Sequence, residues 1–171
     1  MKTLVVGLGN PILGDDGVGW QIASELMQKE IIPSDVTIEC AALGGISLME
    51  SLIGYDRAII IDAIVTHQAP IGSVTFFKLG DLPNPSLGHM SSAHDTSLQE
   101  ALLFGRDLGT HLPDDITVVT VESQKVYEFS ETLTPAVAKA IPKALKIIKQ
   151  LLLESYSTES RQINSQSNQG G

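Results

Sequence analysis

The chain has 171 residues, of which 43% are hydrophobic, 18% are charged and only 5% are aromatic. This length and composition suit one globular domain with a core of Ile, Leu, Val and Ala, and they argue against wholesale disorder. The formal net charge of -9 disfavours nucleic acid as a partner, because a polyanion would be repelled. The single cysteine, Cys40, allows no internal disulfide, as expected for a protein of the reducing cytoplasm.

The first part of the chain alternates short apolar runs with amphipathic segments, a pattern typical of alternating strands and helices. The first and third runs consist almost entirely of Val, Ile, Leu and Ala, as in strands that are buried on both faces. The amphipathic segments carry apolar residues at spacings of three and four. The predicted elements are strands over residues 3–6, 36–40 and 58–61 and helices over residues 16–30 and 46–53.

The second part predicts an edge strand, a long loop, a helix, a strand and a closing helix. The composition changes at residue 155 to Ser, Gln, Asn and Gly, which predicts a disordered tail over 155–171. Residues 1–154 therefore form one α/β domain, a three-layer sandwich with a mostly parallel twisted sheet of about five strands and helices on both faces. The edge strand is predicted over residues 73–79, the loop over 80–90, the helix over 97–108, the strand over 116–121 and the closing helix over 134–154, with a bend at Pro142.

The N-terminal apolar run is too short for a signal peptide, and it lacks a small-residue cleavage site. No stretch approaches the roughly 20 apolar residues that a membrane span requires. We therefore expect a cytoplasmic protein without a membrane span. The oligomeric state is left open.

Acidic residues follow the ends of two predicted strands. Asp16 follows the loop after the first strand, and Asp62 ends the third, while His94 lies in a loop before a predicted helix. In open α/β sheets, ligands bind at the carboxyl ends of the strands. Two carboxylates and one imidazole there form a candidate site for Zn²⁺, Ni²⁺, Mn²⁺ or Fe²⁺, with room for a ligand from a partner.

Each of these residues also has a structural explanation. Asp15 or Asp16 could cap the first helix, and His94 alone could be an exposed loop residue. Asp62 is harder to explain in this way, because an ionised carboxylate at the end of a buried strand is costly unless it is paired. Cys40 ends a strand, but a lone cysteine is usually a small hydrophobic residue, so we do not predict a thiol nucleophile.

The motif Gly-Leu-Gly-Asn-Pro-Ile-Leu-Gly-Asp-Asp-Gly-Val-Gly at residues 7–19 resembles the N-terminal signature of the maturation endopeptidases of nickel–iron hydrogenases. The likeness continues through residues 59–63, 92–95 and 133–137. The resemblance implies an endopeptidase that cuts a C-terminal extension from the precursor of the hydrogenase large subunit. In that family the cut follows insertion of the nickel centre.

The resemblance further implies that Asp16, Asp62 and His94 bind nickel, which the precursor supplies, although other divalent ions can occupy such a site adventitiously. Cleavage would then be gated by nickel, because the chain alone provides an incomplete ligand set. Many relatives have an acidic residue before the Gly-Gly turn where this chain has Cys40 to Leu43, so the attacking group is left open. The supporting loop residues are Gly9, Asn10, Asp15, Gly44 and Gly45.

Two other functions remain open at this point. A peptidyl-tRNA hydrolase-like enzyme also begins with a strand and Gly-Leu-Gly-Asn-Pro, but the Thr-Arg-His-Asn segment that follows in such enzymes is absent here. The net charge of -9 also disfavours an RNA substrate. A non-proteolytic nickel-sensing chaperone would use the same three ligands without cutting the precursor.

Overall fold

A computed structural model of the chain describes residues 1–29, 32–81 and 97–167. The strands form one five-stranded sheet in the order β2-β1-β3-β5-β4. The elements are β1 (Thr3–Leu8), α1 (Val18–Lys29), β2 (Val36–Ala41), α2 (Gly45–Ser51), β3 (Arg57–Ile64), β4 (Val74–Lys78), α3 (Leu98–Asp107), β5 (Asp115–Glu122), α4 (Pro135–Ala138) and α5 (Ile141–Ser167), with 3-10 turns at Gly14–Gly17 and Leu79–Asp81.

The sheet is parallel except at one edge. Strand β1 pairs in parallel with β2 and β3, and β3 pairs in parallel with β5. Strand β4 is antiparallel to β5 and lies at the edge. Every residue of β1 and β3 is buried, as expected for unbroken apolar runs in the centre of a sheet that is covered on both faces. The predicted mostly parallel sheet and edge strand are therefore confirmed.

Side chains of the sheet alternate between two hydrophobic cores. In β3, Ile59 and Ile61 belong to the core that the sheet forms with α1 and α5. Ala58 and Ile60 belong to the other core, which the sheet forms with α2 and α3. This period of two is the pleat of a strand that is buried on both faces. The predicted three-layer sandwich is confirmed.

Helix α1 lies very close to the sheet because glycines line the contact. A Cβ atom added to Gly19 would lie 2.4 Å from the carbonyl oxygens of both Leu8 and Ile61. A Cβ atom added to Gly7 would lie 2.2 Å from the Gly19 carbonyl oxygen. The 3-10 turn that carries Asp16 comes just before this contact and packs against β3. The close approach thus holds that turn at the carboxyl end of the central strands.

The start of the first predicted helix and the course and end of the last one differ from the structure. The first helix was expected from residue 16, but a 3-10 turn occupies Gly14–Gly17 and α1 begins at Val18. The expected bend at Pro142 is wrong, because the chain forms two helices and Pro142 is the second residue of α5. Proline fits the first turn of a helix, where the N–H groups have no intrahelical partner. Helix α5 also extends past the predicted end at residue 154, to Ser167.

Some predictions fall on residues that the structure does not describe. The predicted loop over 80–90 is described only at Gly80 and Asp81, and His94 lies outside the described residues. Within residues 1–29, 32–81 and 97–167, no helix has the length and apolar character needed to cross a bilayer. The cytoplasmic location and the domain boundary at residue 154 stay predictions.

Candidate functional site

Asp62 is a buried carboxylate in the central strand of the sheet. It lies within β3 and not after it, since the strand continues to Ile64, so the predicted strand end is wrong. Its side chain is only 1% exposed, and one carboxylate oxygen accepts a hydrogen bond from the Ala63 N–H at 2.8 Å. By the alternation along β3, Asp62 faces the same side as Ala58 and Ile60, the side covered by α2 and α3.

Polar side chains continue from Asp62 across the neighbouring strands. Asp62 pairs in register with Thr120 of β5, which pairs in turn with Thr75 of β4. The hydroxyl oxygens of Thr75 and Thr120 are 2.8 Å apart, within hydrogen-bond distance. Thr120 is buried as deeply as its apolar neighbours. A row of polar side chains therefore crosses one face of the sheet, close to the carboxyl ends of its parallel strands.

Asp16 lies in the 3-10 turn between β1 and α1 and is 4% exposed. Its carboxylate accepts a hydrogen bond from the Asn10 N–H at 2.7 Å. Gly9 lies against the Asp16 backbone, because a Cβ atom at Gly9 would be 1.8 Å from the Asp16 carbonyl oxygen. Gly9 has a φ of 126°, which only glycine adopts easily. The structure thus brings the predicted supporting residues Gly9 and Asn10 into contact with Asp16.

Asp15 is fully buried, and its hydrogen bonds go to a distant part of the chain. One carboxylate oxygen accepts from the Thr134 N–H at 2.7 Å. The other accepts from the Thr134 hydroxyl at 3.0 Å and from the N–H groups of Gln124 and Lys125 at 3.3 and 3.2 Å. Four donors satisfy a buried carboxylate well. Asp15 therefore fixes the backbone next to Asp16, and it does so without capping its own helix.

The Gly44–Gly45 turn and Cys40 lie at the end of β2. Gly44 is extended, and Gly45, with a φ of 50°, begins α2. The Cys40 thiol donates a hydrogen bond to the Trp20 carbonyl oxygen at 3.4 Å. Burial raises the pKa of the Cys40 thiol above its ordinary value, so the thiolate is scarce at neutral pH. This environment is poor for a nucleophilic cysteine.

We accordingly expect Cys40→Ser to process substrate with a kcat/KM within about threefold of the wild type, since serine retains a donor for the Trp20 carbonyl. Alkylation of the wild-type thiol by iodoacetamide should rise with pH through a midpoint above the ordinary cysteine value. Kinetics of the folded variant and the pH profile of alkylation check these expectations. Complete inactivation of a folded Cys40→Ser protein would indicate a thiol nucleophile.

Glu122 is a further buried acid at this end of the sheet, one that the sequence pattern did not single out. It is the last residue of β5 and is 3% exposed. Its carboxylate accepts hydrogen bonds from the Thr66 N–H and hydroxyl at 2.8 and 2.7 Å and from the His67 N–H at 2.9 Å. The burial argument that singled out Asp62 applies also to Glu122, which directly follows the predicted strand over residues 116–121. Glu122 holds the loop that follows β3.

The structure places two of the three predicted metal ligands toward the carboxyl ends of the central strands. Asp16 projects from the turn that packs against β3, and Asp62 lies near the carboxyl end of that strand. The third predicted ligand, His94, lies outside the described residues. Among the residues that are described, no three His, Cys, Asp or Glu side chains are grouped closely enough to hold a metal ion. The three-residue site stays a prediction.

Comparison with known proteins gives the family. A sequence model described as hydrogenase maturation protease matches residues 20–151 of the chain. The chain belongs to the hydrogenase maturation protease family. The matched range begins after the motif at residues 7–19, so this match does not depend on that motif. The chain is thus a peptide hydrolase. This decides against the peptidyl-tRNA hydrolase-like enzyme and the non-proteolytic chaperone that the sequence left open.

Individual relatives support the same assignment for a hydrogenase maturation protease. The hydrogenase 2 maturation protease of Escherichia coli K12 is 31% identical over 155 residues, which cover 91% of this chain and 93% of that protein. The hydrogenase expression/formation protein HupD of Bradyrhizobium diazoefficiens is 28% identical, covering 94% of this chain and 82% of that protein. The structure of the hydrogenase maturating endopeptidase HybD from E. coli superposes with a TM-score of 0.75 at 28% identity, covering 91% and 94% of the two chains.

Proposed function

We propose that this hydrogenase maturation protease removes the C-terminal extension from the precursor of a nickel–iron hydrogenase large subunit after nickel has been inserted. The observation that carries the proposal is the pair of buried carboxylates, Asp16 and Asp62, toward the carboxyl ends of the central strands in a chain of this family. The named relatives are a hydrogenase 2 maturation protease and a hydrogenase maturating endopeptidase, which supports a hydrogenase precursor as the substrate. The lone cysteine supports a cytoplasmic location.

In this proposal, nickel is a part of the substrate that the enzyme recognises through Asp16, Asp62 and His94. Carboxylate and imidazole groups are suitable ligands for nickel. Two buried carboxylates at the same end of the sheet favour the approach of a cation, because a positive charge offsets the cost of burying negative ones. Ligands of the precursor would complete the set, so a precursor without nickel would bind weakly. Recognition of the metal would thereby prevent premature cleavage.

The direct test is to incubate the purified chain with the large-subunit precursor, loaded with nickel or free of it, and to weigh the products by mass spectrometry. We expect loss of a C-terminal peptide from the nickel-loaded precursor only. Equal cleavage of both forms would contradict nickel gating but leave the protease function standing. An unchanged mass for both forms would contradict cleavage of this substrate.

A further inference from the structure

Two aromatic side chains project into solvent beside the candidate site. Tyr127 is 91% exposed and Phe129 is 85% exposed, more than any other large hydrophobic side chain in the described part of the chain. Aromatic residues make up only 5% of this sequence, yet these two lie on one short segment between β5 and α4. Scattered exposed apolar residues need no explanation, but two large ones separated by a single residue are typical of interaction sites.

The segment that carries these aromatic residues is firmly attached to the loop of the candidate site. Val126, between β5 and Tyr127, is buried in the core formed with α1 and α5. The Gly14 N–H donates to the Ser130 carbonyl at 2.7 Å, and the Ser130 N–H donates to the Ile12 carbonyl at 3.1 Å. The carboxylate of Asp15 binds both ends of the segment. The aromatic side chains are therefore presented from a fixed backbone.

We propose that Ile12, Tyr127 and Phe129, here called the aromatic docking surface, bind the protein precursor next to the bond that is cut. The inference rests on the proposed function, because it assigns the surface to that substrate. Ile12 is 41% exposed and belongs to the loop that leads to Asp16. Since Ser130 is paired with this loop, Phe129 lies beside it. A precursor that reaches Asp16 would lie against the loop that contains Ile12, next to the backbone of the segment that carries both aromatic residues.

The charged residues around the aromatic docking surface indicate which kind of precursor surface it would bind. Glu128 lies between the two aromatic residues, and the exposed Glu131 follows them. The Lys125 ammonium offsets the charge of Glu128 through an ion pair at 2.9 Å, so the acidic character of this surface comes from Glu131 and from the net charge of the chain. The chain as a whole carries a net charge of -9. The surface therefore fits an apolar patch that is flanked by basic side chains, because opposite charges steer association and reject acidic partners.

The test compares the double variant Tyr127→Ser/Phe129→Ser with the wild type on nickel-loaded precursor. Aromatic side chains commonly dominate binding at interfaces, so we expect the KM and the Kd to rise by at least about tenfold while kcat changes by less than about twofold. The matched control is Leu103→Ser/Phe104→Ser, which removes two exposed apolar side chains of α3. The control should retain the wild-type KM and Kd.

A KM and Kd within twofold of the wild-type values would overturn the docking surface, as would an equal loss of binding in the control. Size-exclusion chromatography tests self-association. A wild-type dimer that becomes a monomer in the double variant, with unchanged precursor binding, would assign the surface to a second copy and overturn the proposal. Binding by a wild-type enzyme that fails to cut, lost in the double variant, would support docking while contradicting the proposed cleavage.

Discussion

Asp62→Asn should lower the kcat/KM for precursor processing by on the order of 100-fold or more while the protein stays folded. Asp62 is proposed as a nickel ligand, and changes in the outer partners of a metal ligand already cost about 10–100-fold, so loss of the proposed ligand should reach at least the upper end of that range. Asparagine has nearly the same size as aspartate and can still accept the hydrogen bond from the Ala63 N–H. The substitution therefore removes the negative charge and one oxygen that would bind nickel in the proposed function, without opening a cavity.

The structure changes how this experiment should be designed. The sequence predicts Asp16 at the start of a helix and Asp62 at the last position of a strand, both next to loops, where alanine variants would be expected to leave the fold intact. That reasoning is wrong, because Asp62 is buried within β3 and Asp16 is almost as buried in its 3-10 turn. Asparagine is the better replacement at both positions. Circular dichroism and thermal unfolding should show a native fold for each variant.

Asp56 provides a matched control for Asp62→Asn. It lies just before β3, at the opposite end of the strand, where it binds the Lys2 N–H and His111 at the surface. Asp56→Asn removes the same charge far from the candidate site, so processing should remain within about twofold of the wild type. Normal processing by a folded Asp62→Asn variant, or an equal loss in Asp56→Asn, would remove Asp62 from the site.

The strands could be predicted from the sequence because the local composition of each segment indicates how deeply it is buried. Unbroken apolar runs can pack only between two layers of helices, and β1 and β3 do so along their whole length. The position of β5 between β3 and β4 could not be predicted in this way. Strand order depends on pairing between distant segments, and no local pattern records which edge an incoming strand joins.

The candidate site was predictable to the extent that burial is costly for a carboxylate. Asp62 was found by that argument, and Glu122 could have been found by it as well. The role of Asp15 could not, because its hydrogen-bond partners lie 109 to 119 positions further along the chain. From sequence, Asp15 could not be distinguished from a helix cap. Its long-range bonds show that it joins the candidate site to the segment with Tyr127 and Phe129.

Gly19→Ala should lower the free energy of unfolding by about 3 kcal/mol, although alanine normally favours a helix over glycine by about 1 kcal/mol. The sign is reversed because the new Cβ atom would lie 2.4 Å from the carbonyl oxygens of Leu8 and Ile61. Both oxygens belong to central strands, which are held by neighbours on both sides and cannot yield. Helix α1 must move instead. The melting temperature should fall by about 6–12 °C.

Gly80→Ala is the control, because no atom of the described residues lies within 4 Å of a Cβ atom at that position and the φ of Gly80 is not positive. Its free energy of unfolding should stay within about 0.5 kcal/mol of the wild type, as judged by urea and thermal unfolding. A Gly19→Ala protein as stable as this control would show that α1 is not tightly fixed to the sheet. Because α1 directly follows the turn that carries Asp16, its displacement should also reduce processing at temperatures where the variant is still folded. Full processing by a destabilised variant would show that a displacement of α1 does not disturb the Asp16 carboxylate. The glycine contact would then contribute to stability alone.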